Sequence, residues 1–156
     1  VRDDGLVLDR VDGPSMLEHL RRRPWRVGPC MRTLADLHER LHELDAPAEF
    51  GDGTLLHRDL HPANVLLSFD GPVVIDWPNA TAGAPAFDVA LAWVIVATSG
   101  GALGRVAMPL FLRHVDRAAA RRALPEAAAY RIADPNVTEE ERRAVRRLLD
   151  RESSRE

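Results

Sequence analysis

The clearest periodicity in the chain lies between about residues 27 and 44, where Leu34, Leu37, Leu41 and Leu44 recur at spacings of three and four. That is the apolar stripe of an amphipathic helix. Ahead of it, Met16, Leu17 and Leu20 give a shorter helix an apolar face. Pro14 suits its first turn, and Arg21-Arg22-Arg23-Pro24 ends it. Nearer the start, Leu6-Val7-Leu8-Asp9-Arg10-Val11 alternates and meets Asp12-Gly13-Pro14, which predicts a short strand closed by a turn.

After a loop rich in Asp, Gly and Pro (45–53) the period shortens. Thr54 to His57, Val65 to Ser68 and Val73 to Asp76 predict strands, the last two joined across Asp70-Gly71 as a hairpin. Beyond Pro85 the pattern is helical again, near 86–98, 106–123, 125–133 and 138–151. Thr138 with Glu141 three residues on forms a capping box, and Arg146, Arg147 and Arg151 complement the dipole at the far end. A polar tail from Glu152 predicts disorder. The layout is an α+β fold, mostly α: helices, a small hairpin with a polar loop before it, then more helices.

Composition narrows this picture. A length of 156 residues with 46% apolar residues supports one core, hence one domain or lobe. A net charge of −3 exerts no overall pull toward nucleic acid or anionic membrane. The longest apolar stretch, Ala84 to Thr98, is interrupted by Pro85 and Asp88 and falls short of the roughly 20 residues a bilayer span needs. Cys30 is the single cysteine, which excludes an internal disulfide, and no basic segment leads into an apolar run at the start. A cytoplasmic protein is expected.

The polar loop carries the chemistry. It reads His57-Arg58-Asp59-Leu60-His61-Pro62-Ala63-Asn64, and Val74-Ile75-Asp76-Trp77 follows across the hairpin. Phosphoryl transfer needs a carboxylate to orient and accept the proton of an attacking hydroxyl, with oxygen ligands for magnesium. Asp59 suits the first role, Asn64 and Asp76 the second. His61, next to Asp59, is a candidate to lie near the transferred phosphate, and His57 to pack beneath the loop. Each residue also has a plain structural use: Asp59 capping a turn, Asn64 in a left-handed turn, Asp76 closing a strand.

The order His57-Arg58-Asp59, with Asn64 five residues after the Asp and Asp76 downstream, resembles the catalytic loop of kinases. It is most similar to the aminoglycoside phosphotransferase and choline kinase-like family. His61-Pro62 stands where Ser/Thr protein kinases usually carry Lys-Pro, Asp76-Trp77-Pro78 replaces Asp-Phe-Gly, and no Ala-Pro-Glu follows.

The resemblance implies the C-terminal lobe of a protein kinase-like fold, with the hairpin carrying the metal-binding Asp76. It implies Asp59 and His61 as catalytic residues, Asn64 and Asp76 as ligands of Mg2+, and ATP or GTP as phosphoryl donor to a small hydroxyl-bearing substrate. Asp88, in Gly83-Ala84-Pro85-Ala86-Phe87-Asp88, would brace the loop together with His57 and Arg58. Asp9, Arg10 and Val11 look like the hinge that meets the nucleotide base. Residues 1–13 would then lead from an N-terminal lobe, 14–151 form the catalytic lobe, and 152–156 a tail.

A complete kinase also needs a glycine-rich loop and a lysine on the phosphates. The chain has no Gly-x-Gly-x-x-Gly, and all 21 of its basic residues are Arg. The expectation is that residues before Val1 supply those parts. Asp116, Glu126 and Asp134 are candidates to attract an amine on the acceptor, against a solvated role. Two rival readings compete: a lobe retained for binding without catalysis, and a zinc peptidase built on His38-Glu39-Arg40-Leu41-His42, which fits His-Glu-x-x-His.

Overall fold

The computed structural model describes residues 10–154. The first helix, α1 (Met16–Arg22), opens on a capping box: Ser15 Oγ accepts the Glu18 N–H at 3.1 Å and the Glu18 carboxylate accepts the Ser15 N–H at 2.9 Å. Ser15, not Pro14, therefore fixes where it begins. Most of the strand expected over residues 6–11 lies outside the described residues; Arg10 and Val11 are in neither helix nor strand.

The helix α2 (Val27–His42) buries Met31, Leu34, Leu37 and Leu41 along its stripe. It ends before Leu44, which is left largely exposed. Next come β1 (Thr54–Leu56), β2 (Val65–Ser68), β3 (Gly71–Val74) and β4 (Thr81–Gly83). They form two antiparallel pairs: β1 with β4, Thr54 opposite Gly83, and β2 with β3, Val65 opposite Val74. Ser68 pairs with Gly71, so the hairpin turn is Phe69-Asp70, one residue earlier than the sequence suggests. Gly71, at φ 123°, belongs to the strand, in a conformation that favours glycine. Consequently β3 ends at Val74 and Asp76 sits beyond it. β4 was not anticipated, since Thr-Ala-Gly has no alternation to mark it.

The apolar run becomes α3 (Pro85–Ser99), buried continuously from Phe87 to Val96. It is the axis of the molecule, packed against α4 (Gly101–Phe111), α5 (Arg117–Ala133) and α6 (Glu139–Ser153). The helix expected over 106–123 is broken: α4 stops at Phe111, and α5 starts where Asp116 accepts the Ala119 N–H at 2.9 Å. Pro125 does not open a separate helix but lies exposed within α5.

The capping box at Thr138 and Glu141 forms. Residues 152 and 153, expected in a disordered tail, are helical instead: α6 continues to Ser153, and Glu152 is buried in an ion pair with Arg121 at 2.6 Å. No helix among the described residues is long and apolar enough to cross a membrane. This layered arrangement leaves the loop between β1 and β2 standing on the N-terminal end of α3.

Candidate active site

The loop after β1 is anchored from below by Asp88, buried in the first turn of α3. Its Oδ2 accepts the His57 N–H at 3.0 Å, and its Oδ1 accepts the Arg58 N–H at 2.7 Å. The His42 Nε2 of α2 lies 3.2 Å from Oδ2 and donates to it. Burial pushes the Asp88 pKa up. The His42 hydrogen bond, the charge of His38 and the two backbone donors more than offset that, so the carboxyl stays below its ordinary range. Arg58 holds φ at 62°, a left-handed turn that points two successive N–H groups at one carboxylate.

His57 ties the two halves of the site together. Its Nδ1 accepts the Asp59 N–H at 3.2 Å, which leaves the proton on Nε2 to be donated to the Ile75 carbonyl at 3.0 Å. The ring is fully buried against Trp77, with centroids 4.6 Å apart. One imidazole thus bridges the loop and the chain leaving β3.

Asp59 is held by its neighbours. The Asn64 side-chain amide donates to both the Asp59 carbonyl and its Oδ2, each at 2.9 Å. His61 caps a 3₁₀ turn (Pro62–Asn64), its Nδ1 accepting the Ala63 N–H at 3.2 Å. Its Nε2 therefore carries a proton and faces Asp59 Oδ1 at 3.4 Å. Burial raises the Asp59 pKa, but the His61 hydrogen bond and charge, the Asn64 amide and the charge of Arg131 lower it further, for a net downward shift. Asp59 is an ionised carboxylate at neutral pH.

The Asn64 carbonyl accepts the Ile75 N–H at 3.0 Å, which puts Asp76 one residue from Asn64's own pairing. Asp76 is exposed and takes φ 69°, turning the chain out of β3. Asn64 commits its NH2 group to Asp59, so the end left for a ligand is its oxygen; Asp76 adds a carboxylate. Both are hard oxygen donors of the kind that suits Mg2+.

A cavity of about 390 Å3 opens at Asp59. Arg58, Tyr130, Arg131, Asp134 and Asn136 line it. The Arg58 guanidinium stacks 4.1 Å from the centre of the Tyr130 ring. Tyr130 and Arg131 escaped the sequence reading; they sit late in α5 without a local motif, and only the packing of α5 on α3 brings them to the loop. A smaller apolar cavity of about 190 Å3 lies on the other flank, bounded by His61, Leu17, Leu20 and Leu103.

The other candidates disperse. Asp116 is the cap of α5 and Glu126 is exposed, so Asp134 alone of the three acids reaches the Asp59 cavity. Arg10 is exposed and pairs with Asp12 at 2.9 Å, Val11 is half-buried, and Asp9 lies outside the described residues. His38 is buried against Phe111, His42 serves Asp88 and Glu39 is exposed. No group of three His, Cys, Asp or Glu among the described residues is placed to hold a metal ion. Among the described residues the zinc reading thus lacks a third ligand.

A family model described as the phosphotransferase enzyme family matches residues 9–130, a span that takes in the loop, the hairpin and the helices beneath them. The chain belongs to that family, in agreement with the aminoglycoside phosphotransferase-like motif. No curated protein matches the chain.

Proposed function

We propose that the chain is the catalytic lobe of a kinase-like phosphotransferase that moves the γ-phosphoryl group of ATP or GTP to a hydroxyl of a small molecule. The observation that carries this reading is the Asp59 carboxylate, fixed by the Asn64 amide and faced by the His61 N–H at the mouth of a cavity. Asp59 accepts a hydrogen bond from the acceptor hydroxyl. It takes the proton as the hydroxyl oxygen bonds to the γ-phosphorus and the nucleoside diphosphate leaves. Its lowered pKa makes it a weak base, suited to orienting the nucleophile and receiving the proton late, as a loose transition state requires.

Asn64 Oδ1 and the Asp76 carboxylate would hold Mg2+, which when bound neutralises phosphate charge. His61 supplies an N–H near the reacting oxygens. Asp88, His57 and Arg58 position the loop, and residues 9–11 form the hinge toward the nucleotide base. On this reading a glycine-rich loop and a lysine on the phosphates are supplied from outside residues 14–151. Residues 14–151 are the catalytic lobe of a cytoplasmic enzyme. The cavity at Asp59 receives the acceptor.

Calorimetry with Mg·ATP and a turnover assay on the protein bearing this lobe test the reading together. Asp76→Asn is expected to weaken metal-nucleotide binding at least tenfold. Asp59→Asn is expected to leave binding nearly unchanged while lowering turnover by about 10²- to 10⁴-fold. The absence of lysine favours one other reading, a lobe kept for binding alone; nucleotide affinity indifferent to Asp76→Asn would establish it instead.

A further inference from the structure

Away from the loop, a third cavity of about 600 Å3 lies where α3, α4, α5 and α6 meet. It shares no lining residue with the cavity at Asp59. Its apolar side comes from Trp93, Met108, Leu112 and Leu148, all buried. Its rim carries Arg105, Arg113, Arg117 and Arg151, all exposed.

Some arginines of the molecule meet acids, among them Arg121 with Glu152 at 2.6 Å, Arg131 with Asp134 at 3.5 Å and Arg143 with Glu139 at 3.4 Å. Among the described residues none of the four rim arginines has a carboxylate within 4.0 Å. The one acid on the lining, Glu152, is the partner of Arg121. Arg151 spends its Nε–H on the Arg147 carbonyl, which leaves its charge in place. Arg117 stands in the first turn of α5, where the helix dipole already disfavours a cation.

Four like charges therefore gather around one apolar hollow on a chain whose net charge is −3. At physiological salt, charges within about 8 Å of one another still repel, and a bound anion converts that repulsion into attraction. Guanidinium groups match phosphate oxygens in geometry, and several of them suit a dianion better than a monoanion. The apolar side calls for an apolar body on the same ligand, and the volume falls in the range of small-molecule sites.

We propose that this cavity is a second ligand site, for a small organic phosphate ester whose apolar body lies against Trp93 and Met108 while its phosphate is gripped by Arg113 and Arg117. The site is independent of the phosphotransferase reading, and its test needs no turnover.

The test is an NMR titration of the ¹⁵N-labelled chain with 1-naphthyl phosphate at 0.15 M salt. Saturable one-to-one shifts are expected at the Trp93 indole N–H and at the Arg113 and Arg117 Nε–H signals. The doubly substituted chain, Arg113→Gln with Arg117→Gln, should bind at least tenfold more weakly, and so should unmodified chain with 1-naphthol or 1-naphthoate. Inorganic phosphate should also bind more weakly than the ester. Arg147→Gln, outside the cavity, should leave the affinity unchanged. Because all of these arginines are exposed, amide dispersion in each variant reports whether the fold persists. Non-saturating shifts spread over Arg143, Arg146 and Arg147, equal binding of naphthol or naphthoate, or an affinity unmoved by the double substitution would each overturn the site.

Discussion

Asp88 and His38 show how much of this molecule depends on single buried polar groups. Asp88 accepts two backbone N–H groups and one imidazole, so Asp88→Ala strands two buried donors at once. A loss of about 3 kcal/mol or more is expected in urea unfolding. His38 donates from Nδ1 to the Leu34 carbonyl at 2.9 Å, and its buried Nε2 has no hydrogen-bond partner among the described residues. Burial is the main reason its pKa falls from 6.5 to about 4.

The sign of the pH dependence follows. As pH drops below 6.5 the unfolded chain protonates His38 while the folded chain resists, so stability present above pH 6.5 is lost progressively toward pH 4. The loss is on the order of 3 kcal/mol. Asp88, lowered from 3.8, holds its contribution above that value and loses it as pH falls through the lower folded value. His38→Leu should therefore flatten the stability curve between pH 6.5 and 4 and leave the steeper fall below 3.8, as read from urea midpoints across the range.

At the scale of elements, the junction of α3 and α4 is set by two glycines. A Cβ on Gly104 would meet the Val96 carbonyl oxygen at 2.2 Å, and one on Gly100 would meet the same atom at 2.4 Å. Backbone cannot give way as a flexible side chain can. Gly104→Ala should push α4 off α3 and lower the melting temperature by several degrees. Gly28, inside α2, has nothing within 4 Å of an added Cβ. Gly28→Ala should raise stability by about 0.5 to 1 kcal/mol by restricting the unfolded chain. Calorimetry on the two variants checks both signs.

The elements also show what a local pattern can and cannot announce. The α2 stripe and the Thr138–Glu141 capping box were legible because the residues that define them are neighbours along the chain. β4 was not legible, because Thr81-Ala82-Gly83 is a strand only by virtue of pairing with β1. The break at 112–116 was missed because the helical pattern runs across it, and Asp116 acts as a cap only once α4 has stopped.

Across the whole molecule, one cluster of buried residues runs from Met16 in α1 to Leu148 in α6 and includes Leu56 and Leu60 around the loop. A single contiguous core predicts a single cooperative transition. Far-UV circular dichroism and tryptophan fluorescence should give coincident urea curves; separated curves would mean that part of the molecule unfolds apart from the rest.

The sequence by itself determined the family, because His57, Arg58, Asp59, Asn64 and Asp76 stand at short fixed spacings that a one-dimensional pattern preserves. Tertiary structure alone decided what surrounds them. Asp88 reaches the loop across 31 positions in the chain to accept the His57 N–H, and Tyr130 and Arg131 join the Asp59 cavity because α5 packs on α3. Four arginines from α4, the turn after it, α5 and α6 meet at one hollow for the same reason. Contacts between residues far apart in the chain are fixed by the packing of whole helix faces, and no local spacing encodes them.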